Sequence, residues 1–254
     1  MLHVMNFPVL VFVLSFGILW LSLWGGGALR RRWPMADTAR DDFGVILTAS
    51  LTLLGLIIGF SFSMAVSRYD QRKAYEEEEA NAIGTEYVRA DLLPLADADH
   101  VRALLKSYLE QRISFYQTRS PNERERINER IALLQTDLWS AVSGPAKVRP
   151  TPTMALVVSG MNDVLNSQGY TQASWWNRIP VAAWILMTEI AVGCGVLIGY
   201  GARSFVAERK LLLILPLMVS MAFFLIADID SPRGGVIRVN PKNLLALEST
   251  LHTR

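Results

Sequence analysis

The side chains able to do chemistry in this sequence are few, and most lie in or beside apolar runs. Glu189 stands inside the apolar stretch 180–202. A charged carboxylate at such a depth costs about 2.5 kcal/mol or far more, so it should face protein or water and not lipid. One reading is an ion or proton site, a carboxyl that exchanges a proton or holds a cation on a path through the membrane. The other is a protonated glutamic acid bonded to a hydroxyl of a neighbouring helix, with Ser50, Thr52, Ser61, Ser63 and Ser220 as partners by type. A second constellation is the series Thr52, Leu56, Phe60 and Ser63, with Met64 beside it. It recurs every three or four residues and so shares one helix face. Around the axis of a symmetric oligomer that face would line a pore, with rings of Leu56 and Phe60 gating by dewetting; the same spacing also serves ordinary bundle packing. Gly55 and Gly59 form a small-x-x-x-small pair that lets helices approach closely. Third, Asp228, Asp230 and Arg233 sit in a Pro- and Gly-containing turn at a membrane boundary. An EF-hand is excluded there, because its glycine position is Arg233 and its bidentate glutamate position is Val239. A local aspartate–Arg233 ion pair is the expectation for this turn, with no metal.

No enzyme signature is present: the sequence has no Walker or dinucleotide glycine pattern, no G-x-S-x-G elbow and no H-E-x-x-H. Gly25–Gly27 is expected to be a loop and not a phosphate cradle. One cysteine, Cys194, and three scattered histidines, His3, His100 and His252, make neither a disulfide framework nor a zinc site. The chain is thus expected to be no enzyme and to need no cofactor.

The elements that must position these groups follow from composition. The chain has 254 residues, 51% hydrophobic and 19% charged, with a net charge of +2. Its mean hydropathy is +0.26. That is too apolar for a soluble domain of this length and carries no basic field for nucleic acid. Residues 5–24, 44–66, 180–202 and 211–227 are each long and apolar enough to cross about 30 Å of hydrocarbon. The first lacks a basic n-region and a small-residue cleavage site, so it reads as a retained helix and not as a signal peptide. Between the second and third spans, residues 67–179 hold 29 of the 48 charged residues and form a separate water-facing domain. Its pattern is helical. Val101, Leu104, Leu105, Tyr108 and Ile113 line one face; Ile127, Ile131, Leu134 and Leu138 line another. Ser120-Pro121 with Glu123, and Thr151-Pro152 before Met154, Val157, Val158 and Met161, mark two helix starts. The second span should continue as one long helix to about Leu93, ended by Pro94. Its acidic run Glu76–Glu79 reads as a solvated face paired with Arg72 and Lys73, or as a cation-attracting ring in an oligomer. The tail 228–254 should hold a short amphipathic helix after Asn240-Pro241, carrying Leu244, Leu245 and Leu247. The fold class is therefore all-α: a four-span helical integral membrane protein with a helical domain inserted between spans two and three.

Charge alone does not orient the chain. Arg30, Arg31, Arg32, Arg40, Arg203, Arg209 and Lys210 on one side are matched by Arg68, Arg72, Lys73, Arg178, Arg233, Arg238 and Lys242 on the other.

The blocks LLGLIIGFSFSMAVSRYDQRKAYEEEEANAIGTEYVRADLLP (53–94), VVSGMNDVLNSQGY (157–170) and FLIADIDSPRGGVIRV (224–239) resemble the bacterial bestrophin-like membrane proteins, a family of unassigned function. A thinner likeness, Gly59-Phe60 followed after five residues by Val66-Ser67-Arg68-Tyr69, is to the bestrophins, pentameric anion channels. That likeness implies a pore neck at Thr52, Leu56 and Phe60, where bestrophins carry bulky apolar groups, so Thr52 departs from the pattern. No counterpart of their acidic calcium clasp is found. The resemblance also implies a pentamer in the lipid bilayer of the bacterial inner membrane, with the inserted domain and both termini in the cytosol. The function expected is an oligomeric ion channel passing inorganic ions of unassigned selectivity. The alternative is a non-conducting scaffold or sensor whose cytosolic domain binds a partner protein.

Overall fold

The computed structural model of the protein describes residues 4–202 and 209–252; His3 and Arg203 fall outside the described residues. Among the described residues the chain is helical, without a strand. The helices are α1 (Pro8–Arg32), α2 (Arg40–Arg89), α3 (Leu95–Gln117), α4 (Pro121–Val148), α5 (Pro152–Trp176), α6 (Val181–Gly201), the single turn α7 (Arg209–Leu212), α8 (Ile214–Asp230) and α9 (Lys242–His252). Among the described residues, four stretches, Pro8–Arg32, Arg40–Leu92, Pro152–Gly201 and Lys210–Asp230, contain a run long and apolar enough to cross a membrane. The helix starts follow local chemistry. The Ser120 hydroxyl accepts from the Glu123 amide at 3.4 Å, the Thr151 hydroxyl accepts from the Met154 amide at 3.2 Å, and Pro94 separates the end of α2 from α3.

The chain divides into two compact units. Unit 1 comprises Met1–Tyr69 and Arg178–Arg238. Its core joins α1, α6, α8 and the first part of α2, through Val11, Leu19, Leu54, Ala65, Trp184, Met187, Val219 and Phe223. Gly25–Gly27 lie inside α1, which corrects the loop expected there. The reason is tertiary. A Cβ at Gly26 would strike the Val196 carbonyl, and one at Gly199 would strike the Leu23 carbonyl, so α1 and α6 cross with backbones in contact. In contrast, nothing lies within 4 Å of a Cβ built at Gly25. Gly26→Ala is accordingly expected to destabilise the detergent-solubilised protein by about 1–3 kcal/mol, as overpacking does, while Gly25→Ala leaves its thermal midpoint unchanged. At the end of α1, the Arg30 guanidinium donates to the Tyr200 and Gly201 carbonyls at 2.9 and 2.8 Å, capping the C-terminus of α6.

Unit 2 comprises Asp70–Asn177 and Val239–Arg254. The tail is thus shared out, its first part belonging to unit 1 and α9 to unit 2. Leu244 and Leu251 of α9 enter the unit 2 core beside Ile83, Val101, Leu105, Tyr108, Ile131, Leu138, Val157 and Met161. The apolar faces read from helical period therefore point inward, with Leu104, Leu134 and Val158 half-buried at their edges.

Candidate functional site

The membrane-spanning part of α2 has two unlike sides. Leu54, Ser61 and Ala65 are buried in unit 1, and on a helix of 3.6 residues per turn the series Thr52, Leu56, Phe60 and Ser63 lies on the opposite side. All four of those residues are exposed, Leu56 at 51% and Phe60 at 59%. The Cβ positions of Gly55 and Gly59 also face open space. The Thr52 hydroxyl donates to the Thr48 carbonyl of its own helix at 2.9 Å. Its donor is therefore used within α2, and what it presents outward is a methyl group and an oxygen lone pair, less polar than its residue type suggests.

Glu189 projects from α6 on the exposed surface of unit 1. No described residue bonds to it. Of the hydroxyls considered for it, Ser50 donates to the Ile46 carbonyl and Thr52 to Thr48, both within α2. Ser220 is buried, and its hydroxyl has no partner among the described residues.

Asp228 and Asp230 are both buried at the end of α8. The Asp228 carboxylate accepts from the Val236 and Ile237 amides at 2.7 and 2.8 Å, closing the turn around itself; a Cβ at Gly235 would collide with it. The Asp230 carboxylate accepts from the Ile179 amide at 3.2 Å, next to the start of α6. Arg233 is half-buried within the turn. Backbone amides are thus among the groups the two acids hold, a use that sequence spacing does not reveal.

Unit 2 contains a polar seam that the sequence reading missed. Along α2 and into the turn that follows it, Arg72, Glu76, Glu79, Ile83, Glu86 and Ala90, at alternating steps of four and three, are all buried. The acidic run is therefore only half solvated: Glu77 and Glu78 are exposed, while Glu76 and Glu79 are interior. The Glu76 carboxylate accepts from the Asn243 and Leu244 amides, each at 3.0 Å, and from the Asn243 side chain at 2.7 Å. It thereby binds the positive N-terminal end of α9. Glu79 forms a two-point ion pair with Arg112 of α3, the Nη2 contact at 3.1 Å, and also accepts from Tyr116 and Thr171 at 3.3 Å each. Burial acts to discharge Arg112, but the facing Glu79 carboxylate outweighs it and holds the guanidinium above its ordinary pKa. The Tyr116 phenol is likewise pushed up, by burial first and then by Glu79. The signal was present in the sequence as the four-three spacing of Glu76, Glu79 and Glu86 with Ile83, once charged residues are admitted to a buried face.

A profile of the Bestrophin-like domain matches residues 11–244 of the chain. The chain belongs to the bestrophin-like family. The fold of this bestrophin-like chain agrees. A crystal structure of a bacterial bestrophin homolog from Klebsiella pneumoniae superposes with a TM-score of 0.63 at 12% identity, covering 96% of this chain and 97% of that one. A point-substituted form of the same homolog gives 0.63 and 12%, covering 97% of this chain and 98% of the other. No curated protein sequence matches the chain. Family and apolar helices together make this bestrophin-like chain an all-α membrane protein.

Proposed function

We propose that the chain is one subunit of an oligomeric membrane ion channel whose axial path runs along the Thr52, Leu56, Phe60 and Ser63 face of α2. The observation that supports it is the two-sidedness of that helix, one face buried in its own chain and the other uncovered. Lipid would suit the apolar members of the uncovered face, while the oxygens that Thr52 and Ser63 add to it are also compatible with an aqueous path. Gly55 and Gly59 leave room for a neighbouring helix. Glu189 adds to the reading, because a carboxylate exposed on a spanning helix is costly against lipid and so calls for another subunit or an aqueous path. Resemblance to the bestrophins supports a pentamer in the bacterial inner membrane, with the soluble helices and both termini in the cytosol. The ion is left unassigned; a carboxylate beside the path would favour cations or protons.

The assembly is tested by Leu56→Cys, oxidised in native membranes. Cys194, at 1% exposure, does not compete. Covalent dimers are the expected product, since equivalent residues meet around a shared axis; a chain that stays monomeric under oxidation counts against the proposal. The role of Glu189 is read from Glu189→Gln in asymmetric salt, where loss of the anionic group should shift the reversal potential away from cation preference. An unchanged reversal potential would reduce Glu189 to helix packing. The scaffold reading draws on exposed apolar residues of unit 2, among them Leu95, Leu133 and Val148. It requires that the reconstituted oligomer pass no current.

A further inference from the structure

Three acids of α2 are buried in unit 2, and they are not held alike. Glu76 has three N–H donors and Glu79 has a guanidinium, a phenol and a threonine hydroxyl. Glu86 is 0% exposed, yet among the described residues neither of its carboxyl oxygens has a hydrogen-bond partner. A carboxylate left in that state would lose its hydration with no hydrogen bond in return, whereas a neutral carboxylic acid loses far less. The site is also tight. Its neighbour on α5 is Gly160, where a Cβ would collide with both the Glu86 carboxyl and the Arg89 guanidinium. α5 therefore approaches α2 so closely that these two side chains fill the space a larger residue would need.

The geometry points to Glu86 as a proton-binding switch between α2 and α5. Protonated, it lets the two helices close over Gly160; ionised, it draws Arg89 toward itself and loosens that contact.

Its charged surroundings support this reading. Arg89, one turn along α2, favours the ionised form, and Asp163 of α5 opposes it. On α3, Arg102 pairs with Asp91 and lies over the Tyr87 ring, and Lys106 lies over the same ring. On α9, Glu248 and His252 border a small cleft with Lys106 and Leu109. Burial is the largest influence on Glu86 and, against the pull of Arg89, pushes its carboxyl from 4.5 up to about 8. The folded state therefore holds a proton that the unfolded chain releases near pH 4.5. Folded stability falls as pH rises between those two values, by about tenfold in the folding equilibrium per pH unit, and levels off above the upper one.

The test uses the full chain in detergent, with thermal midpoints measured from pH 5 to pH 10 for the parent, Glu86→Gln and Asp163→Asn. The parent midpoint should fall until about pH 8. Glu86→Gln, which mimics the neutral acid, should lack that component and exceed the parent at pH 9. Asp163→Asn changes an exposed residue and should move the end of the parent's decline to lower pH, because the opposing carboxylate is gone. Amide exchange over residues 157–164, corrected for its intrinsic rate, should accelerate above pH 8 in the parent and not in Glu86→Gln. If Glu86→Gln fails to fold, the Asp163→Asn shift and the parent's exchange profile decide the matter. A parent profile reproduced by Glu86→Gln, an Asp163→Asn profile that does not move, or exchange over α5 that is flat with pH would each overturn the proposal.

Discussion

Phe60→Ala is expected to raise the current through the reconstituted protein severalfold in planar bilayers, without a matching loss of stability. The ring is 59% exposed in the single chain, so its removal opens no cavity within the subunit. Around a common axis it would remove a ring of bulky apolar groups at a constriction, and a wider, less apolar neck admits water more readily. Leu56, one turn nearer the start of α2, would remain as a second ring, so the variant should still close. Thr52 is the weakest seal of the three by residue type, although its hydroxyl's bond to the Thr48 carbonyl leaves it less polar than an unbonded threonine. Leak-level current in both parent and variant would refute conduction, and the scaffold reading would then stand.

Breaking one side of the Glu79–Arg112 pair should produce the largest loss of stability in unit 2. Arg112→Met leaves a carboxylate at 0% exposure with only the Tyr116 and Thr171 hydroxyls for partners. Removing one partner of a buried ion pair costs about 3–5 kcal/mol, because the remaining charge is stranded. Adding Glu79→Gln to Arg112→Met should restore much of that loss, since no unpaired charge is then left inside. Thermal unfolding of the two single variants and the double variant measures the coupling. Additive losses would mean that the pair contributes nothing beyond its separate packing.

The membrane-spanning helices and the helical insert were legible in the chain because both depend on local pattern. An apolar run of about twenty residues has few alternatives to a spanning helix, since its backbone must bond within itself once water is excluded. The caps at Ser120 and Thr151, and the break at Pro94, act within three or four residues and so can be read from the chain alone. The apolar faces of α3, α4 and α5 carried the period that the core of unit 2 then uses.

Other features depended on residues far apart in the chain. Gly25–Gly27 look like a loop by type, and only the passage of α6 against them explains why glycine sits inside α1. The run of four glutamates is uniform in sequence, yet two of its members face Arg112 and the N-terminus of α9 while two face outward. Asp228 has an arginine nearby in sequence, but its carboxylate closes on backbone amides eight and nine residues away.

Sequence by itself determined the capped helix starts at Ser120 and Thr151, the break at Pro94 and which stretches are apolar enough for a membrane, because those properties are set by neighbours within a turn or two. The tertiary structure alone decided which acids are buried, what each one binds, and that Thr52, Leu56, Phe60 and Ser63 lie on the side of α2 its own chain leaves bare. Burial and partnership are long-range quantities, fixed only when α3, α5, α6 and α9 have packed against their neighbours.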